Sequence, residues 1–175
     1  MHSSPKKGGI SDMMKKMTAL LLLLLTMMTA GGALAEAPFE GVWVQYEAGW
    51  IQWLMPSDWL EMEVTEEMME ANLFYGAFAP DGSKTLQILW TPLTQPKTIE
   101  DIQSQLAPSY DNVELLDVNG KKMVYFADTL NNMFGYAMLD ELDPGVYQFF
   151  FSPVDEAFEP TARAIAASVR SMDEQ

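Results

Sequence analysis

The sequence contains no cysteine, and its one histidine is His2. Without cysteine there is no disulfide framework, no thiol nucleophile and no lipid attachment of the bacterial lipoprotein kind. Without histidine beyond position 2, His-based triads and zinc sites of the usual His/Cys type are excluded from the bulk of the chain. Carboxylate, hydroxyl, lysine and tyrosine remain as the groups able to do chemistry. Basic residues are also scarce, ten Lys or Arg against 25 Asp or Glu. Such a surface repels nucleic acid and anionic lipid or cell-wall polymers.

Long hydrophobic runs are limited to one, residues 17–28, with leucine unbroken from Leu20 to Leu25. It is shorter than the ~20 residues that a membrane-spanning helix needs. Lys15 and Lys16 precede it, and Ala33-Leu34-Ala35 follows with a small-x-small cleavage pattern. This is the composition of a signal peptide. Residues 1–35 are therefore expected to be a cleaved export signal with no stable membrane anchor remaining. Residues before Met13 are atypical of such a signal, which suggests a true start at Met13 or Met14. The product is expected to be secreted or otherwise extracytoplasmic.

Residues 36–175 make 140 residues, the size of a single domain. Four of the ten basic residues and one of the 25 acidic ones precede residue 36, so this part carries six against 24 and a net charge of -18. Solubility outside the cell is the expected reason for that charge, with an acidic docking surface as the alternative.

Strands are expected at 42–46, 51–55 and, after the Pro56-Ser57-Asp58-Trp59 turn, at 60–64, where apolar and polar residues alternate. Thr65 is placed to cap a short helix at 66–71. Three hairpins follow. The first joins 73–79 to 86–90, the second joins 113–118 to 122–127 across Asn119-Gly120, and the third joins 133–139 to 146–151 across Asp143-Pro144-Gly145. Between the first two lies a helix at 98–107, with Thr98 and Asp101 spaced as a capping box and Pro108 as its stop. Pro160 opens a closing helix to about residue 172, with Ile165, Val169 and Met172 along one side.

Strands in the second half are apolar on both faces: Val124 and Phe126 against Met123 and Tyr125, and Phe150 against Tyr147, Phe149 and Phe151. A sheet apolar on both faces needs a cover on both. The expected class is α+β, a mainly antiparallel sheet of about seven to nine strands in an α/β/α sandwich between helices 98–107 and 160–172.

The Pro56-Ser57-Asp58-Trp59 turn after a strand, the helix at Thr98, the Val118-Asn119-Gly120 hairpin, the Tyr147-Gln148-Phe149 strand and a last helix ending Ser168-Val169-Arg170 together resemble the PsbP-like fold. The resemblance covers most of residues 45–172 and rests on element order and loose motifs. That fold is shared by an extrinsic photosystem II subunit, a Ran-binding nuclear transport adaptor and many small exported bacterial proteins. The resemblance implies a non-enzymatic binding or adaptor module, without a shared active site to carry over.

Candidate binding residues come from the tryptophans. Trp43, Trp50, Trp53, Trp59 and Trp90 fill cores, but indoles also anchor protein partners and sugars. Trp59 and Trp90 read as core, whereas Trp50 and Trp53, beside the Gly49 bend, read as partly exposed. Trp50, Trp53 and Trp59 form the candidate partner surface, for an extracellular or envelope protein in preference to a glycan. No cofactor is indicated. Asp140, Glu141 and Asp143 offer oxygens to calcium, but their spacing suits a solvated turn better. A small carboxylate-dependent extracellular hydrolase is the alternative function. N-terminal sequencing of the exported protein should begin at Glu36; a product that retains residues 17–28 would overturn the export reading.

Overall fold

Short alternating segments separated by turn residues give ten strands and three α-helices among residues 37–173, the part of the chain that the computed structural model describes. In order they are β1 (Gly41–Tyr46), a 3-10 turn at Glu47–Gly49, β2 (Ile51–Pro56), β3 (Leu60–Glu61), helix α1 (Glu66–Glu70), β4 (Leu73–Phe78), β5 (Thr85–Pro92), helix α2 (Ile99–Leu106), β6 (Asn112–Val118), β7 (Lys121–Asp128), β8 (Met133–Leu139), β9 (Gly145–Ser152), helix α3 (Glu159–Ala167) and β10 (Arg170–Ser171). The signal-peptide expectation for residues 1–35 lies outside the described residues.

The strands form two sheets. One has seven strands in the order β3-β4-β5-β9-β8-β7-β6, the other three in the order β1-β2-β10. Every pairing among them is antiparallel. Two of the expected strands thus leave the main sheet: the hairpin of β1 and β2 packs over the large sheet instead of extending it. The strand expected at 60–64 shrinks to Leu60–Glu61, pairing with Phe78 and Ala77.

The two-faced burial is as the alternation requires. On one face Met123, Phe134, Tyr136, Tyr147, Phe149, Phe151, Leu86 and Ile88 pack with Ile51, Trp53 and Met55 of β2 and with Ala162, Ile165 and Ala166 of α3. On the other, Val124, Phe126, Ala137 and Val146 pack with Ile99 and Ile102 of α2. The cover of the first face is therefore shared between helix α3 and the small sheet, and that of the other is α2. A β-bulge in β4 opposite β5 adds to the first face: the register passes from Leu73↔Leu89 to Tyr75↔Ile88, leaving Phe74 as the extra residue. Phe74 and Tyr75 then both turn toward β2, where each meets the edge of Trp53, at 6.2 Å and 4.9 Å between ring centroids.

Local signals set the helix ends. The Thr65 hydroxyl accepts from Met68 N at 3.4 Å. Thr98 and Asp101 form the reciprocal capping box, at 3.2 Å and 2.9 Å. Asn119 and Gly120 both have positive φ, as a tight two-residue hairpin turn demands.

The closing helix is shorter than expected, ending at Ala167 and not near residue 172. Ser168 is the reason. Its hydroxyl donates to Ile165 O at 2.6 Å and accepts from Leu54 N at 2.8 Å, so the helix end is fastened to β2. Beyond it the chain extends, Val169 stays buried, and Arg170 and Ser171 pair with Gln52 and Ile51.

Ile165 is fully buried between α3 and the sheet. Replacing it with Asp strands an unpaired carboxyl there and should remove several kcal/mol of a domain's typical ~5–15 kcal/mol. Arg170→Lys, on the outer sheet, should lose far less. Thermal unfolding of both variants checks this; an Ile165→Asp protein melting within a couple of degrees of wild type would overturn the packing argument.

Candidate functional site

Residue parity along β1 and β2 decides where the tryptophans go. The register pairs Trp43 with Leu54 and Val44 with Trp53, so Val44 and Trp53 share the inner face and Trp43 lies on the outer one. Trp53 is 0% exposed, with its indole N–H buried and without a hydrogen-bond partner among the described residues. Its expected partial exposure is corrected accordingly: the Gly49 bend exposes Trp50, and three residues later the chain is already a covered inner strand. Trp59 is half-buried, 6.0 Å from Phe158. Trp90 is likewise half-buried against the core.

Trp50 is 47% exposed and has φ 52°, a left-handed conformation that a bulky residue adopts only when its surroundings hold it there. Three bonds do so. Trp50 N donates to Glu47 O at 3.2 Å, Trp50 O accepts from Met172 N at 3.0 Å, and the indole N–H donates to Asp173 Oδ2 at 3.1 Å. Val42 and Trp43 on the same hairpin are 50% and 40% exposed. The Arg170 guanidinium lies over the Trp43 ring at 3.9 Å. The hairpin thus exposes two indoles and a valine, and β1 carries no charged residue along its length. By contrast β6, at the far edge of the large sheet, presents Glu114 and Asp117, charges that discourage strand addition.

Two clefts lie below the hairpin's turn, at the end of the sheet where the loop from β8 to β9 emerges. They share Asp140 and Tyr147. The larger, about 510 Å³, is bordered by Lys121, Lys122 and Arg170 together with Asp140 and Glu141. The smaller, about 320 Å³, is walled by Tyr46, Phe74, Trp90 and Tyr147, with Asp140 and Asp143 at its polar side.

Asp140 is fixed from several directions. Oδ2 accepts from the Trp90 indole at 2.9 Å, and Oδ1 accepts from Leu142 N at 2.9 Å and Asp143 N at 3.4 Å. The Trp90 ring lies against Gly145, where a side chain would collide with it. The acids of the turn do separate work: Asp140 braces it, while Asp143 borders the smaller cleft. Among the described residues no group of three or more His, Cys, Asp or Glu is placed to hold a metal ion.

The carboxyl groups of Asp81, Asp101 and Asp111 are held below the ordinary carboxylate range by hydroxyl and backbone donors of Ser83, Thr98 and Thr129. All three tie down turns or a helix cap, which is structural work. Tyr75, Tyr136 and Tyr147 move the other way, their phenols pushed well above the usual value first by burial and then by nearby carboxylates.

The aromatic cleft is what sequence reasoning missed. Tyr46, Phe74, Trp90 and Tyr147 come from β1, β4, β5 and β9, so no local spacing announces it. The one available signal was Phe74-Tyr75, two rings adjacent in a strand, which an alternating register cannot both bury on one face unless it bulges.

No protein-family model matches the sequence, and no curated protein matches it either. Solved structures do. Cyanobacterial PsbP (CyanoP) from Synechocystis sp. PCC 6803 superposes with a TM-score of 0.54 at 10% identity, covering 82% of this chain and 99% of that one. A protein from Bacteroides thetaiotaomicron VPI-5482 superposes with a TM-score of 0.50 at 15% identity over 78% of this chain, which spans about half (49%) of that longer protein. At such identities the likeness is one of fold alone: this chain has a PsbP-like, α+β fold. Among the described residues no helix is long and apolar enough to cross a membrane.

The displaced phenols have a consequence in alkali. Above an ordinary tyrosine pKa of about 10 the unfolded chain releases phenol protons that the folded chain keeps, so the folded state binds more protons and stability falls as pH rises. It is complete below about pH 10 and lost toward the higher folded-state values. Urea unfolding between about pH 9 and 11 should show the decline, and Tyr147→Phe should flatten it.

Proposed function

We propose that the chain is an exported, non-enzymatic binding module that engages an extracellular or envelope protein through the hairpin of β1 and β2. The observation that carries this is the exposure of Val42, Trp43 and Trp50 on one hairpin whose outer strand is uncharged and paired on one side by β2. Tryptophan and arginine dominate binding hot spots, and an uncharged edge strand offers backbone N–H and C=O groups to an extended partner segment. Of the expected trio, Trp50 is the member that a partner meets directly; Trp53 supports the hairpin from inside, and Trp59 packs at its far end. The PsbP-like fold supports a binding role by analogy. Export is supported by the composition of residues 1–35. The hydrolase alternative gains nothing from the fold or from the carboxylates whose acidity is displaced.

A photo-crosslinking side chain at Gln45 on β1, with the protein incubated in envelope extract and medium from the producing cell, tests this. A discrete crosslinked protein that is lost in a Trp43→Ala, Trp50→Ala variant is expected, with loss of about tenfold or more in affinity from the pair. Equal crosslinking by the variant, or turnover of a polymer substrate by the purified domain, would overturn the proposal.

A further inference from the structure

The smaller cleft at the end of the sheet has a composition of its own. Tyr46, Phe74, Trp90 and Tyr147 wall it, Asp140 and Asp143 are its charged members, and none of the described residues lining it is basic. At about 320 Å³ it sits at the small end of the ~300–1,000 Å³ span of ligand pockets. It is separate from the exposed indoles of the hairpin, because neither Trp43 nor Trp50 lines it.

The chemistry of those walls selects a class of ligand. Aromatic faces attract cations through their quadrupoles, most strongly when the cation is weakly hydrated. Fixed carboxylates add a Coulombic attraction at the same place. Asp140 is held by the Trp90 indole and two backbone N–H groups, so its charge is oriented before any ligand arrives. Its oxygens are already engaged by donors, which disfavours a small inorganic cation seeking several free oxygens. Tyr147, an uncharged phenol, adds a ring and not a further charge. Asp143 is exposed, and its carboxylate makes no bond of its own to the turn. An anionic or neutral polar ligand finds no basic partner here. A bulky, weakly hydrated organic cation finds aromatic surface and negative charge together.

We infer that this cleft binds an alkylated ammonium group, held against the aromatic walls and balanced by Asp140 and Asp143. The headgroup arrives either as a free quaternary amine or as a methylated lysine on a protein, since both present the same cation.

Calorimetric titration of the purified protein with choline, and with its uncharged carbon isostere dimethylbutanol, is the direct test. Saturable choline binding at about 1 mM or tighter, at least tenfold stronger than the isostere, is expected. Asp143→Asn, an exposed change that leaves the turn bonds of Asp140 in place, should weaken choline about threefold at low salt and less at high salt. Trp90→Leu should weaken it about tenfold or more; its melting temperature separates loss of the wall from loss of the fold. A peptide carrying trimethyllysine, set against the same peptide with unmodified lysine, distinguishes the sources: tighter binding than choline assigns the cation to a protein, and weaker binding assigns it to a free amine. Equal binding of choline and isostere, no saturation below about 10 mM, or an unaltered affinity in both variants would overturn the inference. Trp43→Ala should leave choline binding unchanged, so this result stands or falls apart from the hairpin's partner.

Discussion

Strands β7, β8 and β9 present apolar side chains to both faces of the sheet, so water has to be excluded from two surfaces at once. That demand organises the rest of the chain. The smaller apolar area, around Val124, Phe126 and Ala137, is met by the two-and-a-quarter turns of α2 laid across it. The larger area, with Phe134, Tyr136, Tyr147, Phe149 and Phe151 buried on its strands, exceeds what the nine residues of α3 can cover. The hairpin of β1 and β2 supplies the remainder through Ile51, Trp53 and Met55. Both clefts arise where this composite lid stops short of the sheet's end.

Much of the fold could be read from the chain because its signals are local. Thr98 and Asp101 announce a capping box by their spacing, Asn119-Gly120 announces a hairpin, and the period-two pattern at 123–126 states which side chains oppose which. What escaped is settled by contacts between distant residues. Whether 42–55 joins the main sheet or covers it depends on Phe74 and Tyr75, which bulge out of β4 to meet Trp53. The last helix stops at Ala167 because Leu54, more than a hundred residues earlier, supplies a backbone donor to Ser168. The candidate binding surface was half legible for the same reason. A bend at Gly49 shows that an indole nearby is exposed, but parity along a paired strand decides that it is Trp50 and sends Trp53 inside.

Charge separates the two ends of the recess more than the composition suggests. A chain with a formal net charge of -15 still gathers Lys121, Lys122 and Arg170 around one cleft, while the cleft beside it is lined by aromatics and acids. Lys121 Nζ donates to Val169 O, and Arg170 rests on Trp43, so two of these cations also hold the C-terminal segment in place. Asp140 stands at the boundary and belongs to both clefts. Its bonds to the turn and to Trp90 make the boundary rigid, so the positive and negative sides keep their positions relative to each other.

The short pairing of β10 with β2 sets an order of events for the newborn chain. Synthesis delivers β2 early, but Arg170 and Ser171, which pair with its second edge, and Ser168, which bonds Leu54 N, come more than a hundred residues later. Loops that long close slowly, because the entropy of bringing distant ends together has to be met before any contact compensates it. A nascent chain therefore leaves the second edge of β2 unpaired, with its first hairpin already able to form, until residues 168–171 have emerged.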